Sequence, residues 1–209
     1  MMKKLDFNLK ESPFYNFQNA RTDISFKVNA QNTYEYCKKN NLSFFIISLG
    51  CLLKGLNDVP ELRRKIINNQ AVEFDKIDGV TPLLDKNNNM LEMRVTSIEK
   101  NQTLKDWHDK VKKEEKSIIN HEKPSFNIDM NFRDQEPIAN FSCVPWVNFE
   151  SISPCVTEPH QTQPLITWGK LVNGKMTVAI STSHIFVFGI HIGLFNKSIQ
   201  KYFNNPELL

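Results

Sequence analysis

The sequence has few cysteines and none of the spacings that bind zinc or support dithiol chemistry. Its four cysteines are Cys37, Cys51, Cys143 and Cys155. None forms a C-x-x-C pair, and none has a histidine at zinc-finger spacing. The N-terminal stretch is polar and lacks the apolar core of a signal peptide. We therefore expect reduced thiols and a cytoplasmic protein.

Long apolar runs and a strong charge of either sign are also absent. The most apolar run, residues 42–53, has about a dozen residues, whereas a membrane helix needs roughly 20, so it predicts a buried helix. The formal net charge is only +3. The lysines within residues 110–116 are interspersed with glutamates and predict a solvated helix face. Neither a membrane nor a nucleic acid is expected as a partner.

The chain contains no internal repeat, no low-complexity segment and no Pro/Gly/Ser-rich linker. Residues 1–209 are therefore expected to form one domain. With 40% apolar residues and 15 phenylalanines, the chain can bury an ample core. Strand patterns and helix patterns are mixed along the sequence, which indicates the α/β or α+β class.

Alternating apolar residues predict strands over residues 24–28, 165–172 and Lys175–Ser183. Asn173 and Gly174 join the last two strands and are the pair that a two-residue type I′ turn requires, because both positions need positive φ.

Helices are predicted over residues 33–39, 43–56 and 60–67, in a stretch capped by Thr103, and at the C-terminal end around Phe195. Asp78-Gly79 predicts a turn, and residues 85–89 predict a polar hairpin loop.

His184 stands where the last predicted strand ends and a short loop leads into the last helix. A strand end holds a side chain rigidly and leaves one side open, which suits a general base. A lone histidine is more often a core residue satisfied by the backbone, so the neighbouring sequence has to decide between these two interpretations.

The neighbouring sequence carries three motifs of one family. Residues 183–191 read S-H-I-F-V-F-G-I-H, where His184 and His191 match the histidines of H-H-x-x-x-D-G followed by an apolar residue and His. Residues 140–151 match N-x-S-x-x-P-W-V-N-F-x-S, and residues 164–170 match P-x-I-T-x-x-K. On these residues the chain resembles the chloramphenicol acetyltransferase family over nearly its whole length.

The resemblance implies a two-layer α/β (α+β) sandwich in which a mixed β-sheet is flanked by helices. It also implies a homotrimer whose active sites lie at the subunit interfaces. The reaction would transfer acetyl from acetyl-CoA, used as a cosubstrate, to a small-molecule acceptor, and it would need no metal.

The resemblance assigns the chemistry to three positions. His184 matches the general base that takes the proton of the acceptor hydroxyl. Ser142 matches the donor of a hydrogen bond to the oxyanion of the tetrahedral intermediate. Thr167 matches a threonine that holds a water in that site. Taken singly, each of these side chains has an ordinary structural interpretation, and it is their joint register that favours function.

The binding positions follow from the same register. Lys170 matches a lysine near the CoA phosphates, and Trp146 of the P-W-V-N-F segment is also assigned to the cofactor site. Phe17, Asn140 and Ile152 are assigned to the acceptor pocket. Because Phe17 and Ile152 differ from the aromatic residues usual in that pocket, an acceptor other than chloramphenicol is possible.

Three positions depart from the family's pattern. Ser183 replaces the first motif histidine, and Phe188 replaces the motif aspartate. In the family that aspartate pairs with an arginine, and the best register places Lys10 at the arginine position. Replacing both partners of a buried ion pair by apolar packing can be neutral, so we expect the fold to survive. His184 is then expected to be less accurately placed.

Two other functional interpretations stay open at this point. One is a catalytically impaired or inactive trimeric homologue that binds a small molecule or CoA, which the changes at Ser183 and Phe188 favour. The other is the catalytic core of a dihydrolipoamide acyltransferase, which shares the fold. The P-W-V-N-F segment and the absence of a lipoyl domain argue against it.

Two site chemistries are disfavoured by the residues themselves. A Cys143–His184 nucleophilic pair is unfavourable, because Cys143 follows Ser142 on a predicted strand and should face the opposite side. A metal site is poorly supported, because His184 and His191 are seven positions apart and no carboxylate stands at ligand spacing.

Overall fold

The computed structural model describes residues 1–156 and 161–209, apart from the side chains of Met130 and Asn131. Within these ranges the strands are β1 (Met2–Lys4), β2 (Arg21–Asn29), β3 (Arg64–Ile67), β4 (Gln70–Phe74), β5 (Asp78–Leu84), β6 (Met90–Val95), β7 (Ile138–Val144), β8 (Leu165–Gly169) and β9 (Lys175–Ser183). The helices are α1 (Gln31–Asn40), α2 (Phe44–Asn57), α3 (Leu104–Ile119), α4 (Met130–Arg133) and α5 (Gly189–Asn204).

The main sheet has six strands in the order β2-β9-β8-β7-β5-β6. The central strands β8, β7 and β5 run parallel to one another, whereas the pairs β2/β9, β9/β8 and β5/β6 are antiparallel. A smaller antiparallel sheet has the order β1-β4-β3. The main sheet is therefore mixed, as predicted.

Helices α1, α2, α3 and α5 pack together on one face of the main sheet. Phe45 of α2 stacks on Trp168 of β8 with ring centroids 5.8 Å apart, and Phe26 of β2 meets Phe195 of α5 edge to face. The opposite face carries the neighbouring residues of the same strands, since side chains alternate along a strand. This two-layer α/β arrangement confirms the predicted fold class.

None of the helices in residues 1–156 and 161–209 is long and apolar enough to cross a membrane.

Most of the predicted elements are present. The type I′ turn is confirmed, because Asn173 and Gly174 have φ of 50° and 75°. The strand before it ends at Gly169, three residues earlier than expected, and a single bridge between Val172 and Lys175 continues the hairpin. The hydroxyl of Thr103 caps α3 by accepting a hydrogen bond from Asp106 N at 3.1 Å.

The predicted helix over residues 60–67 is wrong. Pro60–Arg63 forms only a short 3-10 turn, and the chain then continues as strand β3. Asn68 and Asn69, which have φ of 51° and 59°, turn the chain back into β4. Asparagine tolerates positive φ, so this pair forms a hairpin turn that the sequence analysis did not identify.

The predicted turn at Asp78-Gly79 is also wrong, because both residues lie in β5. A Cβ atom at position 79 would lie 3.1 Å from the Phe141 ring. The glycine at this position therefore permits close packing between neighbouring strands rather than a reversal of the chain.

Candidate active site

The end of β9 places His184 beside the N-terminal segment of the chain. The carbonyl oxygen of Ser183 accepts hydrogen bonds from Phe186 N (3.3 Å) and Val187 N (3.0 Å), which folds the loop after β9 into a tight turn. The backbone N–H of His184 donates to Ala20 O at 2.6 Å. These bonds fix the backbone on both sides of the imidazole.

The imidazole of His184 has a defined orientation. Its Nδ1 lies 2.8 Å from the carbonyl oxygen of Val187, and its ring stacks on Phe14 with centroids 3.8 Å apart. A carbonyl oxygen only accepts, so Nδ1 of the neutral ring carries the proton and donates it. Nε2 consequently keeps its lone pair, which is the state that a general base needs.

Aromatic rings surround this imidazole. Phe17, which was assigned to the acceptor pocket, meets Phe14 edge to face at 5.5 Å. Phe188 lies 5.5 Å from the His184 ring and 6.1 Å from Phe14. The structure therefore places the departure Phe188 beside the imidazole, and Phe17 against the Phe14 ring that stacks on it. Phe188 is 40% exposed.

The two remaining departures occupy different environments. Ser183 is buried, and it pairs with Arg21 across β9 and β2. Lys10 is exposed in the 3-10 turn Leu9–Glu11. The N-terminal segment is held against the His184 loop by an aromatic contact between Phe7 and Phe186, whose ring centroids are 5.4 Å apart. Apolar packing thus joins these two segments.

Ser142 and Thr167 lie side by side on the sheet face that is turned away from the helices. They are paired in the register of β7 and β8, and Thr167 is in turn paired with Ala179 of β9. Cys143 is paired with Trp168 and packs against the core on the helix side. Burial raises the pKa of the Cys143 thiol to about 12, which makes it a poor nucleophile.

A cavity of about 650 Å³ opens at the ends of β7 and β8, on the helix side of the sheet. Ser142 is among its lining residues, although its side chain belongs to the opposite face of the sheet. Its wall is mostly apolar and includes Phe45, Ile119 and Trp168, and burial raises the pKa of Glu115, which also lines it. Trp146 and Lys170, both assigned to the cofactor site, stand at this cavity as well. Trp146 is 73% exposed there, and Lys170 is exposed. The structure therefore groups three of the sequence-assigned residues, Ser142, Trp146 and Lys170, at one opening.

Asn140 and Ile152, assigned to the acceptor pocket, are not in the cavity wall. Asn140 lies two positions before Ser142 on β7. The side-chain oxygen of Asn140 accepts hydrogen bonds from Arg133 and Gln163, each at 3.3 Å. Ile152 belongs to a segment that crosses the open face of the sheet.

That crossing segment is tied down by polar contacts with β2 and β9. Phe149 O accepts a hydrogen bond from the Thr177 hydroxyl at 2.6 Å, and Ser153 donates to Asp23 at 2.8 Å. The segment leads from β7 across the sheet, and Ile152 remains 36% exposed on it. Ile152 is therefore available on the same open face as Ser142.

The two positions that the resemblance assigns to catalysis, His184 and Ser142, are far apart in one chain. Along β9, His184 is five positions beyond Ala179, which corresponds to about 17 Å, and Ser142 lies two strands across from Ala179, about 10 Å. The separation between His184 and Ser142 is therefore about 20 Å. One copy of the chain cannot bring both side chains to a single substrate atom.

A buried group of charged and polar residues was missed by the sequence analysis. Arg21 donates to Gln161 O (2.6 Å), Gln163 O (3.2 Å) and the Ser181 hydroxyl (3.0 Å). Asp134 accepts from the backbone N–H groups of residues 162 and 163. These contacts hold the segment before β8 against the sheet. They join segments that are distant in sequence, so no local pattern points to them.

Lys65 belongs to the same group and is fully buried. Its Nζ lies 3.8 Å from Asp134 Oδ1. Burial lowers the pKa of Lys65 to about 8, although the neighbouring carboxylates of Asp134 and Glu136 oppose that shift. Keeping this ammonium charged inside the protein therefore costs stability at neutral pH.

Replacing Lys65 with methionine is expected to stabilise the protein at pH 7 by about 1–3 kcal/mol, because the cost of burying the ammonium exceeds its attraction to Asp134, whose carboxylate keeps its backbone hydrogen bonds. The unfolded chain binds a proton on Lys65 up to pH 10.5 and the folded chain only up to about 8. This group therefore makes stability rise with pH between those values. Urea unfolding of both proteins at pH 7 and pH 10 measures the effect.

The increase in the free energy of unfolding from pH 7 to pH 10 should be larger for the native protein than for Lys65→Met. This difference isolates Lys65, since other groups titrate equally in both proteins. A variant that is less stable at pH 7, with an unchanged pH dependence, would contradict the assignment of a costly buried charge. Lys197→Ala, which removes an exposed lysine of α5, serves as the control.

In the part of the chain that the structure describes, no three histidine, cysteine, aspartate or glutamate side chains are grouped as metal ligands would be.

Comparison with known proteins identifies the family. A family model described as chloramphenicol acetyltransferase matches residues 7–200. Among solved structures, a chloramphenicol acetyltransferase superimposes with a TM-score of 0.80 and 23% identity, over 97% of this chain and 100% of that chain. A search of curated proteins finds no match.

More distant structures share the fold. Dihydrolipoamide acetyltransferase of Azotobacter vinelandii has a TM-score of 0.65 and 10% identity, over 97% of this chain and 88% of that chain. A probable dihydrolipoamide acetyltransferase from Listeria monocytogenes has a TM-score of 0.63 and 11% identity, over 94% of this chain and 88% of that chain. At these identities the structures establish the fold alone. Since the family model spans most of the chain, the protein belongs to the chloramphenicol acetyltransferase family of acyltransferase enzymes.

Proposed function

We propose that this protein transfers acetyl from acetyl-CoA to a small hydroxylated acceptor, with His184 as general base and Ser142 as oxyanion donor. The observation that carries the proposal is the state of His184. Its Nδ1 is occupied by the Val187 carbonyl and its ring is stacked on Phe14, so Nε2 is held in place with a free lone pair. An oriented base of this kind suits proton abstraction from a hydroxyl.

The reaction follows in two steps. His184 Nε2 takes the hydroxyl proton while the acceptor oxygen attacks the thioester carbonyl, and the carbonyl oxygen becomes an oxyanion. Ser142 donates a hydrogen bond to this oxyanion, a contribution of roughly 3 kcal/mol to the transition state. The intermediate then collapses to the acetylated acceptor. The departing CoA thiolate receives the proton from His184, which returns the imidazole to its starting state.

The cavity on the helix side of β7 and β8, which has Ser142 among its lining residues, supports the assignment of the donor site. An apolar wall of the kind formed by Phe45 and Trp168 suits the pantetheine arm of CoA, and exposed Lys170 at the opening suits a phosphate. Thr167 is adjacent to Ser142 in the strand register, in a position to support a water next to the oxyanion.

The proposed catalyst is a homotrimer with shared active sites. Within one chain His184 and Ser142 are about 20 Å apart, so His184 must act with Ser142 of a neighbouring copy. A cyclic assembly places the same two surfaces against each other at every interface. The exposed apolar side chains of Phe17, Trp146 and Ile152 fit such an interface.

A thiol-release assay with acetyl-CoA and chloramphenicol tests the proposal, together with calorimetry for CoA binding. Turnover with either chloramphenicol or another small alcohol would support it. Binding of CoA without turnover of any acceptor would instead favour an inactive trimeric homologue that binds CoA. The changes at Ser183 and Phe188 are the sequence features that favour this alternative. A folded protein that neither binds CoA nor releases thiol would contradict the proposal.

Lys170→Ala is expected to raise the KM for acetyl-CoA about fivefold to tenfold while leaving kcat nearly unchanged, because Lys170 would bind ground state and transition state equally. The increase should shrink at high ionic strength, which screens an exposed charge. Initial rates at varied acetyl-CoA concentration and salt measure this. Lys197→Ala is the matched control, and an equal change in both variants would exclude a phosphate contact at Lys170.

A further inference from the structure

One peptide group connects His184 to a second histidine. Val187 O accepts from His184 Nδ1 at 2.8 Å. The N–H of the same peptide group, which belongs to Phe188, donates to His191 Nδ1 at 3.0 Å. The His184 ring, the Val187–Phe188 peptide and the His191 ring thus form a continuous hydrogen-bonded chain.

The chemistry of the peptide group fixes the protonation of both rings. A backbone N–H can only donate, so Nδ1 of His191 is unprotonated and acts as the acceptor. A backbone carbonyl can only accept, so Nδ1 of His184 carries its proton. Hydrogen bonds joined through one peptide group polarise each other. An unprotonated Nδ1 on His191 therefore favours a protonated Nδ1 on His184.

The local sequence explains why a histidine accepts the hydrogen bond from the Phe188 N–H. Phe188 is the residue before the first turn of α5, and its side chain has no atom that can accept a hydrogen bond. The side chain three residues later can reach back to that backbone N–H, as in a capping box. His191 is at this position, and its own backbone N–H donates to Phe188 O at 2.9 Å. The two residues therefore hold each other at the start of the helix.

We propose that His191 is a positioning residue that orients His184 through the Val187–Phe188 peptide. The inference rests on the proposed function of His184 as general base. His191 keeps the peptide plane at the angle where its carbonyl meets Nδ1 of His184, and thereby keeps Nε2 unprotonated and aimed outward. It does not touch the substrate.

Two variants of His191 distinguish the effect of its hydrogen-bond acceptor from the effect of the size of its ring. His191→Phe keeps a ring of similar size but has no acceptor for the Phe188 N–H. His191→Gln offers a side-chain oxygen at the capping position. His191→Phe is expected to lower kcat about tenfold to a hundredfold with little change in KM, and His191→Gln is expected to restore most of the loss.

A spectroscopic readout makes the test independent of turnover. In protein with ¹⁵N-labelled histidine, the ring nitrogen shifts of His184 report which nitrogen is protonated, and the His184→Ala spectrum assigns them. We expect the Nδ1-protonated form in the native protein and in His191→Gln, and a clear increase of the Nε2-protonated form in His191→Phe. Unchanged nitrogen shifts in His191→Phe would overturn the proposal.

A loss of a helix cap elsewhere provides the structural control. Thr103→Ala removes the cap of α3, whose hydroxyl accepts from Asp106 N, without touching the loop after β9. It should reduce thermal stability as His191→Phe does but leave kcat and the His184 shifts unchanged. Equal losses of kcat in both variants would overturn the positioning role. If the native protein shows no turnover but His191→Phe still changes the tautomer of His184, the coupling between the two histidines is supported and the proposed function is contradicted.

Discussion

Replacing His184 with alanine is expected to lower kcat/KM for acetyl transfer by about 10²–10⁴-fold, because general-base catalysis of this step is lost. The Ser142 hydroxyl and the cavity are untouched by the change, so CoA should bind with nearly native affinity. Thiol release from acetyl-CoA measures the rate, and calorimetry measures the affinity. Loss of turnover with retained binding is the result that a role in proton transfer requires.

The control for this variant is His121→Ala. His121 is exposed, and it contacts Asp85 in the hairpin loop between β5 and β6, at 3.2 Å. Removing that imidazole should leave the rate unchanged. A His184→Ala protein that keeps more than about a tenth of the native rate would contradict the assignment of the base. Equal losses in both variants would point to a general effect on folding.

The sequence was most informative where short-range chemistry decides the structure. Alternation in residues 175–183 and the Asn173-Gly174 turn each depend on neighbours within a few positions, and both are confirmed. The helix predicted over residues 60–67 failed because the decisive signal was the turn at Asn68-Asn69, whose left-handed backbone conformation overrides a local helical pattern.

The candidate site could be predicted only residue by residue. Motif register named Ser142, Trp146 and Lys170, and the structure places all three at one cavity. The buried set around Arg21 and Lys65 left no trace in the sequence, since its members come from separate strands and loops and meet only in the folded chain. Buried polar residues of this kind are specified by partners far away in sequence.

The change at Phe188 shows how structure alters the expectation for His184. From sequence, loss of the motif aspartate predicted a less accurately placed base. In the structure the ring is held by Val187 O and stacked on Phe14, and His191 caps the helix behind it. Two contacts thus hold the imidazole, one from Val187 in its own loop and one from Phe14 of the N-terminal segment, and His191 caps the helix that follows the loop. They explain how the loop can keep its shape with an apolar residue at the aspartate position.

Mixing two inactive variants is expected to restore activity, which is the second large effect. In the proposed trimer, each active site combines His184 of one copy with Ser142 of the next. In every trimer that contains both His184→Ala and Ser142→Ala chains, one of the three sites receives both native residues. Activity of the mixed trimers should therefore reach about a third of the native value, far above either variant alone, since loss of the oxyanion donor costs about 10²–10³-fold.

Co-expression of the two chains with different affinity tags, followed by purification over both, yields the mixed assemblies for the thiol-release assay. Their mass, measured by sedimentation, must be that of a trimer. Co-expression of His184→Ala with a chain that carries both substitutions is the control, because no site then contains a native His184. Recovery in the first mixture alone establishes that the 20 Å gap within one chain is closed by a neighbour. Activity no higher than the mean of the two variants, in assemblies proven to be mixed trimers, would mean that His184 and Ser142 do not act together.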